Sequence, residues 1–118
     1  MTLHRLGFFQ ELPHGNPEGP SLYEREALSE QDKERVIGYL RSGAVLAATQ
    51  TVAVGPVTST SLAPLQLLTD GEWVWYNDLA YYVQAYDVRL DPAFLRTIAG
   101  RATVGVVDLA KAEEDFFA

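Results

Sequence analysis

The sequence predicts an α+β domain: a small, mainly antiparallel sheet of three to five strands, with two to four helices packed mostly on one face. Three observations predict it. Asp70-Gly71, within "LLTDGEWVWYNDLAYYV", sits between two apolar runs, which is the pattern of a β-hairpin. Segments starting near Ser29, Asn77 and Asp91 carry helix-start residues followed by apolar side chains at helical spacing. The 118 residues, 47% hydrophobic and 21% charged, suit one domain with its own core, and no repeat or clear linker divides them.

Taken in order, residues 3 to 10 read as a short strand with "LGFF" as its apolar part. The loop "ELPHGNPEGPSL" follows, too rich in proline and glycine for a helix or an inner strand. Residues 1–28 are thus a loop-rich N-terminal segment of the single domain 1–118. Ser21 with Glu24, and Ser29 with Asp32, form two capping-box patterns. The second opens a helix over roughly 30–42, with Val36, Ile37 and Leu40 facing the core and Gly43 as its stop. "AVLAATQTVAV" reads as a buried strand with a break near Gln50, and "GPVTSTSLAP" as a surface loop.

A two-residue type I′ turn at Asp70-Gly71 pairs Thr69 with Glu72, Leu68 with Trp73, Leu67 with Val74, Gln66 with Trp75 and Leu65 with Tyr76. Strand alternation then puts Leu65, Leu67, Thr69, Glu72, Val74 and Tyr76 on one face. Gln66, Leu68, Trp73 and Trp75 take the other. Asn77 caps a helix running to about Asp87, whose apolar stripe is Leu79, Tyr82, Val83 and Tyr86. Tyr81 falls on the opposite side and is expected to be largely exposed. Asp91, with Pro92 at the first helical position, starts a short helix that buries Phe94, Leu95 and Ile98 and stops at Gly100. "ATVGVVDL" reads as one more strand. The tail 110–118 is either a short helix docked by Phe116 and Phe117 or a frayed end.

Composition limits function. The net charge of −7 disfavours general nucleic-acid binding, because a polyanion is repelled by this surface on average. No apolar run approaches a membrane span or a signal peptide. The chain has no cysteine, which excludes disulfides and thiolate metal sites and makes a reducing cytoplasm the expected setting. His4 and His14 have no metal-ligand spacing, and no nucleophile elbow, phosphate loop or dinucleotide fingerprint is present. No cofactor and no metal are expected.

The expected function is a non-catalytic module that binds a protein or peptide, with a basic partner favoured by the acidic surface. An immunity or inhibitor-type protein is one concrete form, since acidic surfaces capture basic domains quickly. The candidate binding residues are His14 in the Pro-rich loop with Trp73, Trp75, Asp78 and Tyr81 around the hairpin, because Trp and Tyr are enriched at binding hot spots. Two alternatives remain open: a small-molecule or enzymatic pocket near His14 and Trp75, and a self-associating protein whose aromatic face joins a homodimer.

The stretches "LGFFQELPHGNPEGPSL", "YLRSGAVLAAT" and "LLTDGEWVWYNDLAYYVQAYDVRL" resemble a family of small uncharacterised proteins of high-GC Gram-positive bacteria. "TDGEWVW" followed by "DLAYYV" is the most specific part of the likeness, which spans roughly Leu6 to Phe94. Tyr76 departs from it, since the family tends to carry proline after the second tryptophan. The resemblance implies a cytoplasmic bacterial protein and supplies no catalytic residue.

Overall fold

A computed structural model describes residues 3–12, 15–54, 61–101 and 103–117, with side chains described at all of these except 48–54, 61–64 and 117. The order of elements is β1 (His4–Arg5), α1 (Glu30–Arg41), β2 (Ala44–Val54), β3 (Ser61–Thr69), β4 (Trp73–Tyr76), α2 (Leu79–Tyr86), α3 (Pro92–Thr97) and α4 (Leu109–Phe117). The strands form one sheet in the order β1-β4-β3-β2. β2, β3 and β4 pair antiparallel, and β1 joins β4 in parallel, so the fold is α+β with a mainly antiparallel sheet.

The sheet buries both faces. On one, Leu68, Trp73 and Trp75 pack with Val36, Tyr39 and Leu40 of α1, Leu79, Tyr82 and Val83 of α2, and Phe94 of α3. On the other, Leu46, Leu67 and Val74 pack with Leu3, Phe8 and Ala112, and Phe116 of α4 closes over them. Three helices therefore cover the tryptophan face and one covers the back.

The hairpin differs from the expected two-residue turn. Leu67 pairs with Tyr76, Leu68 with Trp75 and Thr69 with Val74. Asp70 is the reason: its Oδ1 accepts from the Glu72 and Trp73 N–H groups at 2.8 and 2.7 Å, and its Oδ2 accepts from the Tyr39 hydroxyl at 2.7 Å. Held this way, Asp70 keeps a negative φ and only Gly71 takes a left-handed one, +95°, so a type I′ turn does not form. The register moves by two residues. Because side chains alternate with period two, every residue stays on its expected face.

Other boundaries move for similar local reasons. The N-terminal strand is cut short at Gly7, whose φ of +72° turns the chain away and whose missing side chain admits Leu79. Ser29 caps α1 as expected, accepting from the Asp32 N–H. Ser21 starts only a turn, since its hydroxyl donates to the Glu11 carboxylate. Gly43 is not a left-handed stop: a side chain there would meet the Trp75 ring at 2.8 Å and Leu68 Cβ at 2.9 Å, so close packing requires the glycine. β2 has register shifts between Ala48 and Val52, at the expected break, and β3 begins at Ser61, inside the segment read as loop. Asn77 ends the β3–β4 ladder instead of capping α2: its N–H donates to Gln66 O, and its Oδ1 accepts from the Gln66 N–H. Asp91 caps α3 through the Ala93 N–H. Residues 103–108 form no strand, and the tail is helical.

Candidate binding site

Most of the aromatic block expected at a surface is core. Trp75 is wholly buried, its Nε1–H donates to Leu40 O at 3.0 Å, and its ring lies against Phe94 and Tyr39. Trp73 is 5% exposed and stacks near Phe94 and the His4 ring. β4 is an inner strand covered on both faces, so neither tryptophan is available to a partner. Asp78 is also buried. Its carboxylate lies near two phenols: burial first, and Asp78 second, push both Tyr82 and Tyr76 above the usual tyrosine range.

Tyr81 is half-buried rather than largely exposed. Its ring lies 5.3 Å from that of Tyr82 and 6.0 Å from that of Tyr86, so the three tyrosines of α2 interlock across the helical turn. The exposed side of α2 is left to Gln84 and Ala85, because the long Tyr81 side chain reaches back over its neighbouring rings. His14 lies outside the described residues.

A cleft of about 350 Å³ opens elsewhere, where the hairpin tip, residues 106–108 and α4 meet. Asp70, Glu72, Asp108 and Asp115 line it, with Lys111 and His4 as the basic groups. Its floor is apolar, made of Leu3, Val107 and Ala112, which belong to or pack on the core behind the sheet. Each acid is placed by local structure. Asp70 is fixed by the turn and by Tyr39, whose hydroxyl is pushed up to about 12 by burial and then by the Asp70 hydrogen bond and charge. Glu72 is exposed at the tip. Asp108 caps α4, accepting from the Lys111 N–H at 3.1 Å, and Asp115 is two turns further along. Four carboxylates therefore line the cleft with one ammonium, Lys111, while the Arg101 guanidinium acts on Asp70 and Glu72 from beside Tyr39, so the cleft is acidic but partly neutralised at the hairpin tip.

A second cleft, about 370 Å³, lies on the tryptophan side, between the end of β1 and residues 89–92. Its charges are balanced: Arg5 and Arg89 stand against Glu24 and Asp91, and Arg89 also pairs with Glu26 at 3.3 Å. Leu6, Phe9, Leu90 and Pro92 supply apolar walls. Neither cleft reaches Trp75.

The acidic cleft was invisible as a constellation in the sequence. Its carboxylates are spread over 46 positions, from Asp70 to Asp115, and they converge only because α4 folds back across the sheet. The one available signal was Glu72 beside the turn. Among the described residues no group of three or more His, Asp or Glu side chains is placed to hold a metal ion. Among them, too, no helix is long and apolar enough to cross a membrane. Comparison with protein-family models, curated proteins and solved structures finds no match.

Proposed function

We propose that the chain is a non-catalytic binding module, cytoplasmic in setting, that holds a basic segment of another protein in the acidic cleft. One observation carries this reading: Asp70, Glu72, Asp108 and Asp115 line one cleft together with the apolar Leu3, Val107 and Ala112. A lysine or arginine suits that combination, since its methylene stem covers apolar surface while its charged head meets the carboxylates. The overall charge of −7 supports the same partner by speeding encounter with a basic surface. An immunity or inhibitor-type role is one form such a module takes. The binding residues pass from the tryptophans to Glu72, Asp108 and Asp115.

The test is fluorescence anisotropy with a labelled lysine-rich peptide, comparing three chains of known charge. Glu72→Gln with Asp108→Asn removes two cleft charges while leaving Asp70 and the α4 cap intact, because asparagine caps a helix as well as aspartate does. Glu30→Gln with Glu34→Gln removes two exposed charges from α1 instead. The expected result is affinity at least about tenfold weaker for the cleft pair, with the α1 pair near wild type; about 1.4 kcal/mol separates those outcomes. Equal weakening in both pairs would mean diffuse attraction and no site.

A further inference from the structure

Three stretches of chain with little regular structure meet at the second cleft: residues 5–9, 20–24 and 89–92. Backbone hydrogen bonds tie them together. The Gln10 N–H donates to Pro20 O, the Arg89 N–H to Glu24 O and the Glu26 N–H to Asp87 O, each at 2.9 Å. The cleft is therefore built into the fold. Its volume of about 370 Å³ lies within the roughly 300–1,000 Å³ of small-molecule pockets. Of its lining, Leu6, Phe9 and Leu90 are buried and make an apolar interior, while Glu24, Arg89 and Asp91 are exposed.

Strand-like alternation orders the charges. Val88 and Leu90 turn into the core, so Arg89 and Asp91 project together on the solvent side. Their Cα atoms are about 7 Å apart in extended chain. A guanidinium and a carboxylate thus stand side by side next to apolar surface. Neither is used up by its partners. Arg89 Nε lies 3.3 Å from Glu26 and Nη1 lies 3.7 Å from Glu24, but a guanidinium has five N–H donors. Asp91 Oδ1 accepts from the Ala93 N–H at 2.9 Å, and a carboxylate has a second oxygen to offer. The Arg5 guanidinium is engaged elsewhere, over the Phe8 and Phe116 rings at 5.6 and 5.3 Å.

We infer that this second cleft binds a free α-amino acid with a branched or aromatic apolar side chain. The ligand carboxylate pairs with Arg89, its ammonium with Asp91, and its side chain covers Leu6, Phe9 and Leu90. Charge selects the class. A simple anion meets Glu24 and Asp91, a simple cation meets Arg89, and a compact zwitterion satisfies both signs at once. The apolar interior then separates leucine-like ligands from glycine, since each buried methylene adds to binding. This site is separate from the acidic cleft and stands or falls without it.

The experiment titrates the isotope-labelled full chain and follows amide NMR shifts with four probes: L-leucine, 4-methylpentanoate, 3-methylbutylamine and glycine. The last three lack the ammonium, the carboxylate and the side chain respectively. Leucine should give saturable shifts at residues 6, 7, 24 and 89–91, and each of the other three should bind at least tenfold more weakly. Asp91→Asn removes the carboxylate charge and keeps the cap of α3, because asparagine caps as well as aspartate. It should weaken leucine at least tenfold with the amide spectrum otherwise unchanged. No saturable shift with leucine overturns the site. A truncated probe that binds within about threefold of leucine overturns the zwitterionic assignment, as does an Asp91→Asn chain that binds leucine like wild type.

Discussion

Two buried tyrosines show how the same atom can have opposite effects on stability. The Tyr39 hydroxyl donates to Asp70 Oδ2 at 2.7 Å, tying α1 to the hairpin. The Tyr82 hydroxyl is buried with no hydrogen-bond partner among the described residues. Tyr39→Phe should therefore cost about 1 to 2 kcal/mol, since the bond is to a charged group and Asp70 loses a donor. Tyr82→Phe deletes an unsatisfied polar atom and should be neutral or stabilising by up to about 1 kcal/mol. Urea melts of the two variants check the signs. Tyr39 also sets a pH dependence. Its hydroxyl is raised in the folded chain, so its contribution is intact below the ordinary tyrosine value of about 10 and is lost as pH climbs towards about 12. The gap between wild type and Tyr39→Phe should narrow from pH 9 to pH 11.5. A gap that widens would contradict the assignment. Tyr39 itself falls outside the Val36, Ile37 and Leu40 stripe that the sequence suggests, because its ring reaches sideways to Trp75 and Phe94.

Among the elements, the hairpin depends most on one side chain. Asp70 accepts from two turn N–H groups and from Tyr39, while Thr69 Oγ1 donates to Trp73 O and accepts from the Gly71 N–H. Asp70→Ala should cost about 2 kcal/mol or more, because it removes several bonds to a charged acceptor at once. Gly71→Val should cost about 1 kcal/mol or more for a different reason: φ there is +95°, which a β-branched residue resists. Thermal melts separate the two, since Asp70→Ala should also remove the dependence of stability on the Tyr39 hydroxyl in a double-mutant cycle. A Gly71→Val chain that melts with wild type would contradict the backbone assignment. Periodicity in the sequence was enough to find this hairpin and its two faces. It did not find the register, which follows from the Asp70 carboxylate accepting from the Glu72 and Trp73 N–H groups and from Tyr39, thirty-one positions away. The caps at Ser29 and Asp91 were legible because they are local hydrogen bonds. Asn77 was misread because a tertiary ladder partner, Gln66, competes for its side chain.

For the whole molecule, the decisive fact is that α4 closes the back of the sheet. An alternating strand with apolar residues on both faces is either sandwiched or shows one face outside, and the sequence left that choice open. With Ala112 and Phe116 packed behind Leu67 and Val74, both faces of β4 are core. Aromatic density therefore marked the centre of the fold, and the surface chemistry was displaced to its edge, where α4 brings Asp108 and Asp115 to the hairpin tip. The most direct test of this account is a titration of the isotope-labelled chain with the lysine-rich peptide, followed by amide and indole NMR shifts. The account predicts salt-sensitive shifts at residues 3–5, 70–72 and 106–115, with the Trp75 indole N–H, held by Leu40 O, unmoved. Saturable shifts centred on the Trp75 indole and α2, with residues 106–115 silent, would contradict it.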